Sequence, residues 1–357
     1  MKLPKTIAFL IFTVVFFLNA AAAFSQSHYE YAGRAEVLPK NQVALIGPAS
    51  SVSFEFSGKD CEITLKNASP EQNYIALELD GQYLGRFRIE GAQTFSHNVK
   101  VDDPKKQHRL SIFKATESNI GDVIFIGTNA KTTLPKSKTK RKKIEFIGDS
   151  LTCGQGNDTT QTACDQGKWY DKHNAYFSYA AVAARELNVD FILNSVSGMG
   201  MYRNWNTEYA DKQSMPDVYE NLRLNKGASK KYDFSFKPDI ISIGIGNNDY
   251  YLGGNSRKPF EADKFVSAYV DFVNMLYQHN PKVSLVFVSA ILEGQEAKIM
   301  GDCLAKIKAA FPQKNIKIFK FPKLELHGCD SHPSKADHQF MADAYVKFMK
   351  NEADFGL

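Results

Sequence analysis

The commonest signatures of metal chemistry are missing from this chain. Its five cysteines show no C-x-x-C spacing and no H-E-x-x-H occurs, so neither a zinc ribbon nor a zinc hydrolase centre is indicated and no cofactor is called for. Long apolar runs are equally scarce. The stretch from Ile7 to Leu18 has 12 residues, too short for the roughly 20 that cross a bilayer as a helix. Net charge is small: 44 Lys and Arg stand against 39 Asp and Glu, and six of the positive residues fall between Lys136 and Lys143. Without that run the balance is near zero. The basicity is local, which reads as a solvated linker and not as a nucleic-acid surface.

What is present is a chain of 357 residues, 43% apolar, long enough for two domains that each bury a core. Lys2 and Lys5 precede the short apolar run, and Ala20 to Ala23 lead into Phe24-Ser25-Gln26. A charged start, a short apolar middle and small residues describe a secretory signal peptide, residues 1–25, cut after Ala23 or Ser25. The expectation is a soluble exported protein, periplasmic or secreted, without membrane or nucleic-acid partners. An exported chain permits disulfides, and an odd number of cysteines leaves one unpaired. Trial pairings are Cys153 with Cys164 and Cys303 with Cys329; Cys61, inside a strand-like run, reads equally well as a buried apolar side chain.

From about Tyr29 to Gly127 the pattern has period two. Val52, Phe54 and Phe56 alternate with polar neighbours, and Ile75, Leu77 and Leu79 lead into Asp80-Gly81, a hairpin signal. Leu110 to Phe113 and Val123 to Ile126 continue it, so residues 26–135 are expected to form a β-sandwich. After the linker, 136–143, the pattern changes. Ile144 to Ile147, Phe191 to Leu193, Ile240 to Ile245, Leu285 to Val288 and Ile316 to Phe319 read as strands buried on both faces of a parallel sheet. Helical stretches alternate with them: His173 to Leu187, a segment bearing Phe265, Tyr269, Phe272 and Leu276, Ala297 to Phe311, and Ser334 to Asn351 behind a Ser334/Asp337 capping box. Residues 144–357 are therefore expected to form a three-layer α/β/α domain with its site at the strands' carboxyl ends.

Ser150 follows the first of those strands directly, in Gly148-Asp149-Ser150-Leu151. A serine there projects into the crevice where ligands bind, and its own amide can face a developing oxyanion. A serine nucleophile needs a base. His332, in Asp330-Ser331-His332-Pro333 before the last helix, is the candidate, with His327 and His338 as decoys. Two further strand ends offer oxyanion donors: Gly198, in Ser197-Gly198-Met199-Gly200, and Asn248, in Gly246-Asn247-Asn248-Asp249. Asp149 invites misreading as a second catalytic carboxylate. Its neighbour Ser150 is the residue aimed at the crevice, so Asp149 is expected to bond structural neighbours, and a paired-carboxylate glycosidase is disfavoured.

In chain order, Gly-Asp-Ser-Leu, Ser-Gly-x-Gly, Gly-x-Asn-Asp and a late His-Pro resemble the four blocks of the SGNH or GDSL hydrolase superfamily. That resemblance implies a serine esterase with Ser150 as nucleophile and His332 as base. The oxyanion hole would be Ser150, Gly198 and Asn248. More narrowly, the chain resembles carbohydrate esterase family 2. The resemblance rests on a sandwich ahead of the hydrolase domain, Gly148 to Gly156 (GDSLTCGQG), Lys114-Ala115-Thr116-Glu117, and Gly328 to Pro333 (GCDSHP). It implies a jelly-roll-like sandwich and removal of O-acetyl groups from xylan or glucomannan, with acetylated polysaccharide or oligosaccharide as substrate. Most relatives in the superfamily carry the histidine-orienting acid three residues before the histidine, where this chain has Cys329. Asp330 is the substitute by its carboxylate; in some family members a backbone carbonyl takes the role. Trp205, Tyr202 and Tyr250 are the expected sugar-stacking residues, with Trp169 and Tyr251 nearby in sequence. Two alternatives stay open: an esterase, lipase, thioesterase or transferase on another acyl donor, and a catalytically silent polysaccharide-binding protein. The sandwich either binds glycans or braces the hydrolase domain; its lack of tryptophan favours bracing.

Overall fold

The computed structural model describes residues 29–134, 141–205, 213–227, 230–251 and 258–357. The expected leader and the basic run from Lys136 to Lys140 lie outside them. Toward the amino terminus two antiparallel sheets face each other. One orders its strands Glu30–Ala32, Ser51–Phe56, His108–Lys114, Asn73–Leu79 and Gln82–Ile89, with Thr132–Thr133 beside Ser51–Phe56. The other runs Ala35–Leu38, Gln42–Leu45, Val123–Thr128, Asp60–Asn67 and Thr94–Lys100. Alternate side chains meet between them: Val52, Phe54, Ile75, Leu77 and Ile112 from one sheet, Ile63, Leu65 and Phe125 from the other. At the hairpin, Asp80 (φ 51°) and Gly81 (φ 82°) both take the left-handed conformation that a tight two-residue turn demands. Gln82–Ile89 escaped the sequence reading because Arg86, an apparent outward charge, is 5% exposed and turned into the neighbouring domain.

Beyond the linker, five parallel strands order as Asp190–Ser195, Lys143–Gly148, Ile240–Gly244, Ser284–Val288 and Ile316–Phe319. Each pleat supplies both faces. Ile147, Ile241, Ile243 and Phe287 pack under Phe265, Tyr269 and Phe272 of helix Ala262–His279 and under Met300 and Leu304 of Gly294–Ala309. Ile144, Phe146 and Val286 pack under Tyr179–Glu186 and Lys335–Asn351 on the other side. Three α/β/α layers result. The last helix is capped as its sequence implies, Ser334 Oγ accepting from the Asp337 amide while the Asp337 carboxylate returns to Ser334. The expected helix from His173 begins instead at Tyr179, capped by Ser178. Its would-be first turn is drawn off into contacts with the sandwich: the Ala175 amide donates to the Ala115 carbonyl, and Asn174 Nδ2 to the Tyr83 hydroxyl.

The two units share a seam in which buried charged groups lie among small apolar clusters, Ala44 and Ile46 against Leu222 and Tyr232, and Phe113 against Tyr176. Arg34, fully buried, donates from Nε to Asn194 Oδ1 (2.7 Å) and from its two terminal nitrogens to the Asn221 (2.6 Å) and Tyr219 (2.7 Å) carbonyls. Asn194 in turn bonds the buried Glu145 (2.6 Å). Arg86 donates to the carbonyls of His173 and Asp171, each at 2.6 Å. A buried guanidinium satisfied as Arg34 is can be tolerated, whereas removing it strands every acceptor it served; Arg86 Nε has only Asp158 at 4.0 Å. Arg34→Ala is expected to lower unfolding free energy by about 3–5 kcal/mol. Chemical denaturation checks this; a loss under about 1 kcal/mol would remove Arg34 from the seam's support.

Candidate active site

Register brings the three sequence blocks together. Gly148 pairs laterally with Ser195 on one side and Gly244 on the other. The segments that follow those residues, bearing Ser150, Gly198 and Asn248, therefore leave the sheet side by side at its carboxyl edge. Two clefts of about 530 and 1110 Å³ open instead at the opposite edge, against residues such as Asp239, Ser284 and Asp190, away from these groups.

Ser150 is the first residue of a single helical turn, Ser150–Cys153, and is 8% exposed. Asp149 caps that turn through Oδ1 to the Leu151 amide (3.1 Å), while Oδ2 accepts from Asn247 (3.4 Å) and Asn248 (3.2 Å). Its partners are the amide of its own turn and the side-chain amides of Asn247 and Asn248, the latter a candidate oxyanion donor. Burial pushes the Asp149 carboxyl up to about 7. Gly198 takes φ +79°, a conformation a side chain resists, and its carbonyl accepts from the Trp205 amide at 2.8 Å. The amides of Ser150 and Gly198 donate no hydrogen bond among the described residues. Asn248 Nδ2 is anchored on the Met199 carbonyl (2.9 Å) and, more loosely, on Asp149.

The histidine loop is pinned to the nucleophile loop. Cys329 forms a disulfide with Cys164, and its amide donates to the Gly156 carbonyl at 2.9 Å. A Cβ on Gly156 would stand 2.5 Å from the Cys329 carbonyl oxygen, so only glycine permits the approach. The Lys335 amide adds a bond to the Asn157 carbonyl at 3.2 Å. This bridge replaces both trial pairings. Cys153 is buried against Glu117, Ser197 and the Ser150 carbonyl, and Cys303 faces the core from the helix Gly294–Ala309. Cys61 is a buried thiol against Thr128 Oγ1.

His332 Nδ1 lies 2.8 Å from the main-chain carbonyl of Asp330. The expectation for the Asp330 side chain is thereby corrected: Asp330 sits in the left-handed region (φ 55°) with its side chain exposed, and the loop turns its carbonyl toward the ring. A carbonyl accepts only, so Nδ1 carries the proton and Nε2 is left as the proton acceptor. Burial lowers the His332 pKa from its ordinary value, and the carbonyl bond opposes this only in part. The decoys are structural: His338 is fully buried, accepts from the Tyr179 amide and is pushed down to about 3, while His327 pairs with Asp337.

Of the aromatic candidates, Trp205 is 48% exposed, its ring 6.4 Å from that of Tyr251, which is 53% exposed. Tyr202 and Tyr250 are less accessible. Both are half-buried against Phe260, and the Tyr202 hydroxyl accepts from the Glu261 amide. The exposed partner of Trp205 is the next residue along, Tyr251, because the Asn247–Tyr250 turn aims Tyr250 at the core. Trp169 stands with its ring edge-on to His173 at 4.8 Å.

Sequence reasoning assigned no role to two carboxylates. Asp249 accepts from the amides of Met201, Tyr202 and Arg203 and so shapes the loop behind Gly198. Glu117 reaches in from the sandwich and accepts from the Ser197 amide at 2.6 Å. Their positions in Gly-x-Asn-Asp and Lys-Ala-Thr-Glu were the available signal.

A family model described as carbohydrate esterase 2 N-terminal matches residues 31–136, and one described as GDSL-like lipase/acylhydrolase family matches residues 146–327. An acetylxylan esterase / glucomannan deacetylase of Cellvibrio japonicus is 28% identical over 85% of this chain and 84% of its own length. Cellulase/esterase CelE of Acetivibrio thermocellus is 28% identical over 90% of this chain, which spans 39% of that longer protein. Among solved structures, a family two carbohydrate esterase from Clostridium thermocellum in complex with cellohexaose superposes with a TM-score of 0.80 at 27% identity, covering 92% of this chain and 99% of that one.

The depressed His332 pKa keeps the ring neutral, with Nε2 able to take a proton, to pH values below 6.5. NMR titration of the histidine signals is expected to place its midpoint under that value; a midpoint above it would mean the imidazole is not desolvated.

Proposed function

Because the chain belongs to the GDSL-like lipase/acylhydrolase family, in its carbohydrate esterase family 2 branch, we propose that it is a serine esterase that removes O-acetyl groups from plant polysaccharides of the xylan and glucomannan kind. The observation that carries the reading is the juxtaposition of Ser150 with two undirected amides, its own and that of Gly198, at the carboxyl edge of the sheet.

Ser150 Oγ attacks the acetyl carbonyl carbon as its proton passes to His332 Nε2. The Asp330 carbonyl holds the tautomer that makes this possible. The tetrahedral oxygen meets the Ser150 and Gly198 amides and, as the looser Asn248 to Asp149 contact is shared, the Asn248 amide. On collapse the C–O bond to the sugar breaks and the sugar oxygen takes the proton from His332. Water then attacks the acetyl-enzyme with the same base, releasing acetate and restoring Ser150. A carbonyl stabilises the imidazolium less than a carboxylate would, which accords with the lowered His332 pKa.

Trp205 and Tyr251, exposed beside the Gly198 loop, suit the C–H face of a pyranose ring. The named relatives supply the acetylated substrates. The disulfide accords with an oxidising destination, and we place the protein outside the cytoplasm on that ground and on the leader pattern.

Purified protein is expected to release acetate from acetylated xylan and glucomannan, and Ser150→Ala to release at least a thousandfold less. Acetate from the variant at the parental rate would remove Ser150 from the chemistry, and none from a folded parent would overturn the substrate class. Cys164→Ser frees the histidine loop from the loop after Ser150. It is expected to lower kcat about tenfold, since small misplacements of a base are costly; kcat unchanged in a folded variant would show that the Gly156 contact alone suffices.

A further inference from the structure

The sandwich contributes a buried charged segment that the proposed chemistry does not use. Lys114, Ala115, Thr116 and Glu117 are all fully buried, tucked between the two units. Lys114 Nζ is spent on main chain, at the Glu117 carbonyl (2.5 Å) and the Thr116 carbonyl (3.3 Å). The Glu117 carboxylate crosses the seam. Oε2 accepts from the Ser197 amide at 2.6 Å, and Oε1 accepts from Ser197 Oγ at 2.5 Å and from Cys153 Sγ at 3.5 Å. His173 Nδ1 stands 3.4 Å away, on a ring whose burial holds it well toward the neutral form.

These contacts converge on two short segments. Ser197 precedes Gly198, whose amide is one proposed oxyanion donor. Cys153 closes the turn begun by Ser150, whose amide is the other, and its thiol touches both the Ser150 carbonyl and Ser197 Oγ. Three donors face two carboxylate oxygens, and no other side chain among the described residues holds the Ser197 amide. A carboxylate accepting a main-chain N–H fixes the peptide plane at that residue. The next amide, that of Gly198, is then aimed by the same plane's neighbour, in a conformation only glycine takes easily. Donors for an oxyanion work by being placed before the charge appears, so their spacing matters more than their number.

We propose that Glu117, delivered from the β-sandwich, is a positioning residue that sets the spacing between the Ser150 and Gly198 amides. The inference rests on the esterase reading and gives the sandwich its role: it completes the catalytic site from outside the hydrolase domain. A glycan-binding accessory would have no need of a buried carboxylate at that point.

The test uses the whole mature protein, with p-nitrophenyl acetate and acetylated xylan as substrates and thermal melts alongside. Glu117→Gln keeps the shape but turns one acceptor oxygen into a donor that confronts Ser197. It is expected to lower kcat by roughly 10- to 100-fold with KM within about threefold on both substrates. Ser197→Ala keeps the amide contact and loses the hydroxyl one, so a fall of about three- to tenfold is expected. The double variant should be no slower than Glu117→Gln alone, since both act through one contact. Multiplying losses, a rise in KM without change in kcat, or a folded Glu117→Gln with kcat within twofold of the parent would each overturn the proposal. If Glu117→Gln does not fold, Ser197→Ala decides, and an unchanged kcat overturns it. A folded parent that hydrolyses neither ester overturns the esterase reading itself, whereas an active parent indifferent to these substitutions overturns only the role of Glu117.

Discussion

The lateral pairing of Gly148 with Ser195 and Gly244 is the constraint on which the site depends. In a parallel sheet the strands begin and end together, so three chain segments widely separated in sequence reach the same edge with their turns abreast. A slip of one residue would turn every side chain of a strand to its other face, moving Ile147 out of one core layer and Phe146 out of the other. The apolar faces thus enforce the register, and the register assembles the donors.

Around that edge and along the seam the molecule buries many charged groups. Arg34, Arg86, Lys114, Glu117, Glu145, Asp149, Asp158, Asp171 and Asp249 are all nearly inaccessible. Charges removed from water are tolerable when each is fully bonded, and the bonds then specify geometry more sharply than apolar contact does. Asp158 shows the balance. Burial alone would raise its pKa, but bonds from Thr160 and Asn174 and the nearby Arg86 hold it down to about 2. Such groups give the seam between sandwich and hydrolase domain a single arrangement, and two of the ties, from Arg86 to the Asp171 and His173 carbonyls, hold the backbone at the expected helix start.

The histidine loop solves a different problem. It has no carboxylate at the usual distance, and the Asp330 carbonyl takes its place only because residues 330 and 331 both adopt left-handed conformations. Strain of that kind persists where surrounding contacts over-determine it. Here those contacts are the Cys164–Cys329 bridge, the Gly156 carbonyl and the capping box that begins the last helix.

Sequence alone determined a good deal of this. Period-two runs marked the strands Ser51–Phe56, Asn73–Leu79, His108–Lys114 and Val123–Thr128 of the sandwich, apolar runs marked all five parallel strands, and the four short blocks singled out Ser150, Gly198, Asn248 and His332 as candidates, because hydrophobic periodicity and local turn chemistry are written into neighbouring residues. The tertiary structure decided the rest: which cysteines join, that the Asp330 carbonyl and not its carboxylate faces His332, that Tyr251 is the ring beside Trp205, and that Glu117 enters from the other domain. Each of these turns on the direction of a side chain or a carbonyl, and all but the Asp330 to His332 contact span a long gap in the chain. Cys164 and Cys329 are 165 residues apart, and no local pattern encodes a contact whose two halves meet only after the hydrolase domain has packed.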